Sequence, residues 1–308
     1  MALAPIVLFV YKRLWHTQQV VEALLRNPEA KETDLFIYSD GPKAGAEEEV
    51  QKLREYLRSI RGFKSINIVE RETNWGLAKN IIDGVTNVVN KYSKVIVIED
   101  DIVVSPGFLR YMNEALQLYE NSEKVAGIAG YMYPIKKWQD LPKTFFLRKM
   151  DCWGWGTWKR AWELYHPDAG SLYAELMKRK DKKRFDWGSF FPYYSRMLVH
   201  QKEGKISTWD IQWYATVFLH DMFFLYPRQS LVQNIGFDES GTHTFGVGKV
   251  FHHRELPLSL EVVKHEVIEE HPLARKRVTQ FLRWIYLRLL LNMPLSLIVK
   301  RLWWRFFK

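Results

Sequence analysis

Four times in residues 4–121 an apolar run of strand length gives way to a stretch with helical spacing, and this alternation limits the fold more than any other feature. The runs are 4–11 (APIVLFVY), 34–42 (DLFIYSDGP), 64–71 (KSINIVER) and 93–101 (SKVIVIEDD). Amphipathic segments follow them at 17–27, 47–60, 74–92 and 106–121. Thr17 is the expected cap of the first helix, and Pro106 stands near the start of the fourth. Strands alternating with helices at this spacing predict an α/β fold with a mostly parallel central sheet flanked by helices. Ligands of such open sheets lie beyond the carboxyl ends of the strands. Those ends carry Arg13, Ser39-Asp40, Arg71 to Asn74 and Glu99-Asp100-Asp101, so polar groups stand where a cleft is expected.

After residue 125 the pattern changes. Residues 125–134 and 222–227 read as strands, 209–221 as a helix, 152–162 (CWGWGTWKRAW) as a Trp/Gly cluster entering a helix, and 234–246 (NIGFDESGTHTFG) as a long polar loop. No linker separates the halves. The expected organisation is one domain over 1–265, with halves at about 1–125 and about 126–265, followed by basic amphipathic helices over 266–308.

A chain of 308 residues that is 47% hydrophobic can bury a full core. Its 13 Trp offer flat apolar faces to rings, sugars or lipid headgroups. The single cysteine, Cys152, excludes an internal disulfide and fits a reducing compartment; with no base beside it, it reads as a buried, inert thiol. The net charge of +10 attracts anions, and much of the excess lies in the last stretch. Residues 281–299 are long enough to tempt a membrane-span reading, but Arg283, Arg288, Asn292 and Pro294 interrupt them. Basic residues mixed with Trp and Phe instead predict helices lying on an anionic membrane surface, the alternative being a C-terminal helix packed on the domain or on another copy. The apolar opening is too short for a signal peptide or a span, so the expected location is the cytoplasm, at the inner face of a membrane.

The three carboxylates Glu99, Asp100 and Asp101 end a strand that should be buried, where like charges are costly without a cation. Neighbouring carboxylates at a strand end can hold Mn²⁺ or Mg²⁺, which keep waters and bridge phosphates. The competing reading is an acidic loop at the start of the next helix, whose N-terminus welcomes negative charge.

Residues 95–112 (VIVIEDDIVVSPGFLRYM) resemble the metal-binding strand of GT-A-fold glycosyltransferases, and are most similar to the Glu-Asp-Asp form of the Golgi N-acetylglucosaminyltransferase family. The flanking pieces occur in a matching order. VYKR resembles the first-strand loop that meets the nucleotide, YSDGP the second-strand aspartate that meets the base, and NWGLAKN a segment common in family-2-type transferases. WGWGTWKRAW, WDIQW and NIGFDESGTHT resemble bacterial transferases of polysaccharide gene clusters. The resemblance spans about residues 4–250. It implies a metal-dependent, inverting glycosyltransferase that moves a sugar from a nucleotide-sugar, expected to be a UDP-sugar, to a glycan or lipid-linked glycan. It implies that Asp101 ligates the metal, that Asp100 touches the ribose or positions the metal, that Asp40 meets the uracil or its ribose, and that Arg13 meets the nucleotide. Asn74 and Glu99 are assigned to the donor site, Glu99 as a residue that orients the loop.

Inversion needs one base to deprotonate the acceptor hydroxyl. Asp210, among Trp209, Ile211, Trp213 and Tyr214, lies in surroundings that tune a carboxylate, and the resemblance also places a catalytic aspartate at this helix start. The alternative is a helix cap by Thr208 or Asp210, and Asp186 is the second candidate base. Trp153 and Trp155 are expected to line a sugar site, although core packing claims at least one ring of the cluster. His243, in a loop placed as a lid, is a candidate for the metal or diphosphate. The adjacent His252 and His253 lack a metal-binding spacing. Two other classes compete. A sugar-phosphate nucleotidyltransferase would carry a Gly-rich signature near the N-terminus, absent from VLFVYKRLWHT. A basic RNA- or membrane-binding scaffold fits the tail, but no RNA-recognition motif is present, so no nucleic-acid partner is expected. A dehydrogenase lacks its Gly-x-Gly-x-x-Gly after the first strand.

Overall fold

The computed structural model describes residues 2–188, 192–237 and 248–291. The first half follows the alternation closely. Strands β1 (Ile6–Val10), β2 (Asp34–Ser39), β3 (Ser65–Glu70) and β4 (Lys94–Glu99) alternate with helices α1 (Leu14–Leu25), α2 (Glu47–Ser59), α3 (Leu77–Tyr92) and α4 (Phe108–Leu118), with the short β5 (Ile102–Val104) between β4 and α4. Every residue of β1 and the centre of β4 are buried, as expected for strands covered on both faces. Helix α1 starts at Leu14, three residues before the expected cap. The Thr17 hydroxyl instead donates to the Arg13 carbonyl inside the first turn, at 2.9 Å.

The second half contributes β6 (Val125–Ala129), β7 (Thr144–Leu147), β8 (Trp155–Trp158), α5 (Lys159–Trp162), α6 (Ala169–Lys178), α7 (Tyr193–Lys202), α8 (Asp210–Leu219), β9 (Phe223–Pro227), β10 (Val232–Asn234) and α9 (Pro272–Leu291). The eight-stranded sheet runs β3-β2-β1-β4-β8-β6-β9-β7. Pairings among β1 to β4 are parallel, as is β6 with β9, whereas β8 is antiparallel to both β4 and β6, and β7 to β9. The Trp/Gly cluster is therefore partly a central strand. Gly156 sits beside Val95 and Ile96, and Trp155 enters the core with no exposure. Gly156, without a side chain, lets the neighbouring strand backbone come close.

Register sets the site. Phe9 pairs with both Tyr38 and Glu99, so β1, β2 and β4 end at one level. Beyond that level, β5 pairs antiparallel with β10 and ties the acidic loop to the end of the second half.

Candidate active site

At the end of β4 the chain turns through Asp100 and Asp101 into β5. The Arg13 guanidinium, just past β1, grips both: Nη2 binds Asp100 Oδ1 and lies 2.8 Å from Asp101 Oδ2. Burial opposes the Arg13 charge, yet the two aspartates outweigh it and raise its pKa. Burial pushes the Asp100 carboxyl up, and Arg13 pulls it back. Asp101 is the more open of the two aspartates. Its carbonyl accepts from Ile235 N at 2.8 Å, and Gly236 packs so tightly that any Cβ there would overlap Asp101 Oδ2. Gly236 is thus a constraint on the acidic loop that the sequence did not signal.

Glu99 stands just behind this pair. Burial, then the charges of Asp101, Asp100 and Asp210, hold its carboxyl well above the usual range. Glu99 therefore links the acidic loop to Asp210 on α8. Asp210 is the first residue of its helix, and one of its oxygens takes the Thr208 hydroxyl. Neither Thr208 nor Asp210 caps the helix backbone, because Trp209 is the capping residue and makes no side-chain bond. The carboxylate keeps acceptor capacity for chemistry.

A nest of rings fixes this helix start. Trp209 stacks on Trp155 at 5.2 Å between ring centroids, and Trp162 contacts both Trp155 and Trp213. This corrects the expectation for Trp155. With both neighbours against it and no exposed surface, it offers no face to a sugar and instead anchors the α8 start. Trp153 remains partly exposed, edge-on to Tyr131 at 4.5 Å and next to Phe237 and Phe251.

Asp40 also departs from its expected role. Oδ1 accepts from Gly41 N and Trp75 N at 2.8 Å, and Oδ2 from Gly76 N at 2.9 Å and Asn74 Nδ2 at 3.1 Å. Four donors use its four acceptor positions, so no lone pair is left for uracil or ribose. Asp40 instead pins the loop before α3 to the end of β2. Asn74 shares that duty, since its Nδ2 also donates to the Gly41 carbonyl at 2.8 Å. A side chain at Gly41 would run into the Thr73 backbone, so the two loops meet as closely as backbones can.

Asp186 is a structural carboxylate, accepting from Ser195 N at 2.9 Å and Ser195 Oγ at 2.7 Å and so tying down the first turn of α7. Cys152 lies beside Asp151 and Asp210, and burial pushes its thiol up, which favours the inert reading. His253 Nε2 meets the Met132 carbonyl at 2.7 Å. His243 lies outside the described residues. The sequence reading passed over Lys149 and Asp151, both buried at the end of β7. Their signal resembled that of the acidic loop: charged residues closing an apolar run, TFFLRKMD.

A metal must find hard oxygen donors. Among the described residues no three His, Cys, Asp or Glu side chains gather into a ready cage. Asp100 and Asp101 supply hard carboxylate oxygens of the kind Mn²⁺ or Mg²⁺ takes, and since Arg13 now pairs with both, an ion would share those oxygens with it or displace it.

Strand ends at one level, an acidic pair held by an arginine and a carboxylate at the start of α8 fit the class of nucleotide-sugar glycosyltransferases, and the family comparison agrees. Residues 1–229 match the model of the GNT-I family, and the chain belongs to that family. No curated protein matches the sequence. Among solved structures the chain is similar to S. aureus TarS, at 10% identity and a TM-score of 0.40. That match covers 76% of this chain but only 37% of TarS. It is also similar to the mannosyltransferase PcManGT from Pyrobaculum calidifontis in complex with GDP-Man and Mn²⁺, at 8% identity, a TM-score of 0.38 and coverage of 71% and 70%. A UDP-glucose pyrophosphorylase complexed with UDP-glucose matches at 12% identity and a TM-score of 0.37, covering 75% of this chain and 92% of that one.

Proposed function

We propose that this glycosyltransferase is divalent-metal-dependent and inverting, and that it moves a sugar from a UDP-sugar to a glycan or lipid-linked glycan in surface polysaccharide synthesis. The observation that carries the reading is the Asp100–Asp101 pair at the end of β4, gripped by Arg13 from the end of β1, with the charges of both aspartates and of Asp210 acting on the buried Glu99 carboxyl. Leaving-group and acceptor chemistry then fall within one small space. Asp100 and Asp101 would hold the ion, which would neutralise charge on the departing diphosphate. Arg13 adds a fixed cation beside it. Asp210 accepts the proton of the acceptor hydroxyl as that oxygen bonds to the anomeric carbon. The bond from that carbon to the diphosphate oxygen breaks, and the nucleoside diphosphate leaves with the electron pair. With Asp210 as the base, this is a single displacement, which inverts the anomeric centre. The exposed part of Trp153 offers a face for sugar C–H groups.

The membrane part of the reading rests on α9. It buries Ala274, Val278, Leu282 and Ile285, and leaves Trp284 and Leu287 about half exposed, with the Arg288 guanidinium 5.2 Å from the Trp284 ring. No helix among the described residues is long and apolar enough to cross a bilayer. An aromatic and basic outer face fits an anionic membrane surface, which would place the enzyme at its cytoplasmic side.

Calorimetric titration with UDP, GDP and CDP, with and without Mn²⁺, tests the reading. UDP binding that requires the metal is the expected result. No nucleotide binding with metal present overturns it.

A further inference from the structure

Lys149 is a lysine with almost no access to water, at 4% exposure. Its ammonium donates to the Met150 carbonyl at 3.1 Å and is otherwise walled by rings: Nζ lies 4.9 Å from the Tyr194 centroid, 5.3 Å from Tyr214 and 5.7 Å from Tyr133. Cation–ring contact softens burial but does not repay it, so a lysine here is expensive unless its charge serves something. Tyr214 lies one helical turn beyond Asp210, so the ammonium sits against α8 close to the base. Tyr133 also donates to Asp151 Oδ2 at 3.0 Å, which places a second buried carboxylate beside the same rings.

Among the described residues, the following charged or titratable groups face this point, and Arg275 acts on Tyr214 from α9. Asp151 and Cys152 come from its own segment, and Asp210 and Tyr214 from α8. Tyr193 and Tyr194 come from α7, and Tyr133 from the segment after β6. The Tyr226 hydroxyl of β9 donates to the Lys149 carbonyl at 3.2 Å. Glu99 of β4 faces Asp210 from the far side. Lys149 is the cation of this group. Burial pushes it down, and Asp151 foremost, with Asp210 behind it, pulls it back up. Burial likewise pushes Asp151 up, and Lys149 counters it.

We propose that Lys149 is a positioning residue for sugar transfer, its buried ammonium allowing the Asp210 and Asp151 carboxylates to be charged at the same time. The inference rests on Asp210 being the base. Without the cation, two like charges facing one apolar pocket would be left uncompensated, and one proton would be shared between them.

The test is an infrared pH titration of the full chain, following the carbonyl band of protonated carboxyl groups. In Lys149→Met that band should persist to a pH higher by about one unit or more, the usual effect of losing a close opposite charge. Adding Asp210→Asn to the variant should remove the Asp210 part of the displaced component and leave the Asp151 part, and Lys149→Arg should return the band to its original position. Where Lys149→Met does not fold, Asp151→Asn gives the opposite sign, with the Asp210 component moving to lower pH. A merely structural lysine would alter melting and leave the band in place, and that result overturns the inference. UDP, GDP and CDP titrations with Mn²⁺ run alongside. Nucleotide binding with an unmoved band overturns this inference alone. No nucleotide binding in the unmutated chain overturns the transferase site and this inference with it.

Discussion

The two halves of the sheet reach the cleft in different ways. In β1 to β4 each strand delivers its polar residue where the local pattern says it will, at the carboxyl end, and parallel pairing keeps those ends level. The side chains there are largely spent on one another: Asp40 on the loop before α3, Arg13 on Asp100 and Asp101. In the second half, strands enter in the order β8-β6-β9-β7 with mixed directions. Its polar groups arrive from distant segments and lean on buried aromatic packing instead of hydrogen-bonded loops. The first half is thus a hydrogen-bonded platform, proposed above to take the nucleotide, and the second presents the less saturated groups, Asp210, Lys149 and Asp151.

That contrast predicts separable losses. The largest is at Asp210: Asp210→Asn should lower kcat by about 10³-fold while nucleotide affinity stays within error, since general-base loss acts on the transition state. The same change at Asp186 should leave turnover nearly intact. Normal turnover in Asp210→Asn would move the chemistry out of the second half altogether. Next is the ring nest. Trp155→Ala should cost about 3–5 kcal/mol in denaturant unfolding, as for other buried aromatics cut to alanine. Trp153→Ala should cost much less stability and weaken acceptor use, read as a raised acceptor KM. Equal stability losses would contradict the division between a core ring and a cleft ring.

On the platform side, Asp101→Ala should weaken metal-dependent nucleotide binding by at least about 100-fold in calorimetry, with metal-free binding unchanged. The smallest effect is expected at Asp40. Asp40→Ala strands buried N–H donors and should cost about 1–3 kcal/mol, seen as a lower Tm with partial loss of nucleotide affinity. A loss of affinity with full stability would return Asp40 to direct contact with the donor.

The acidic loop was legible because three carboxylates closing an apolar strand conflict with burial, and such a conflict is visible in one dimension. Asp210 was legible for the same reason, a lone carboxylate in an aromatic stretch. Trp155 was misread because a Trp between glycines looks alike whether it faces a ligand or enters a strand. Strands β7 and β8 and helices α6 and α7 escaped notice since short elements in the second half lack a repeating context. Asp40 could be placed at the site but not assigned its partners, which lie 34 to 36 positions away.

By itself, then, the sequence determined the βα alternation, where along the chain the first four strands end, and the charged residues that end them, because periodicity and burial act over a few neighbouring residues. Only the tertiary structure decided which carboxylates are filled and which remain open, which tryptophans are core, and that a lysine at the end of β7 lies under the first turns of α8. Those outcomes depend on antiparallel insertions and contacts across tens of residues, and no local pattern encodes the partner of a side chain that distant.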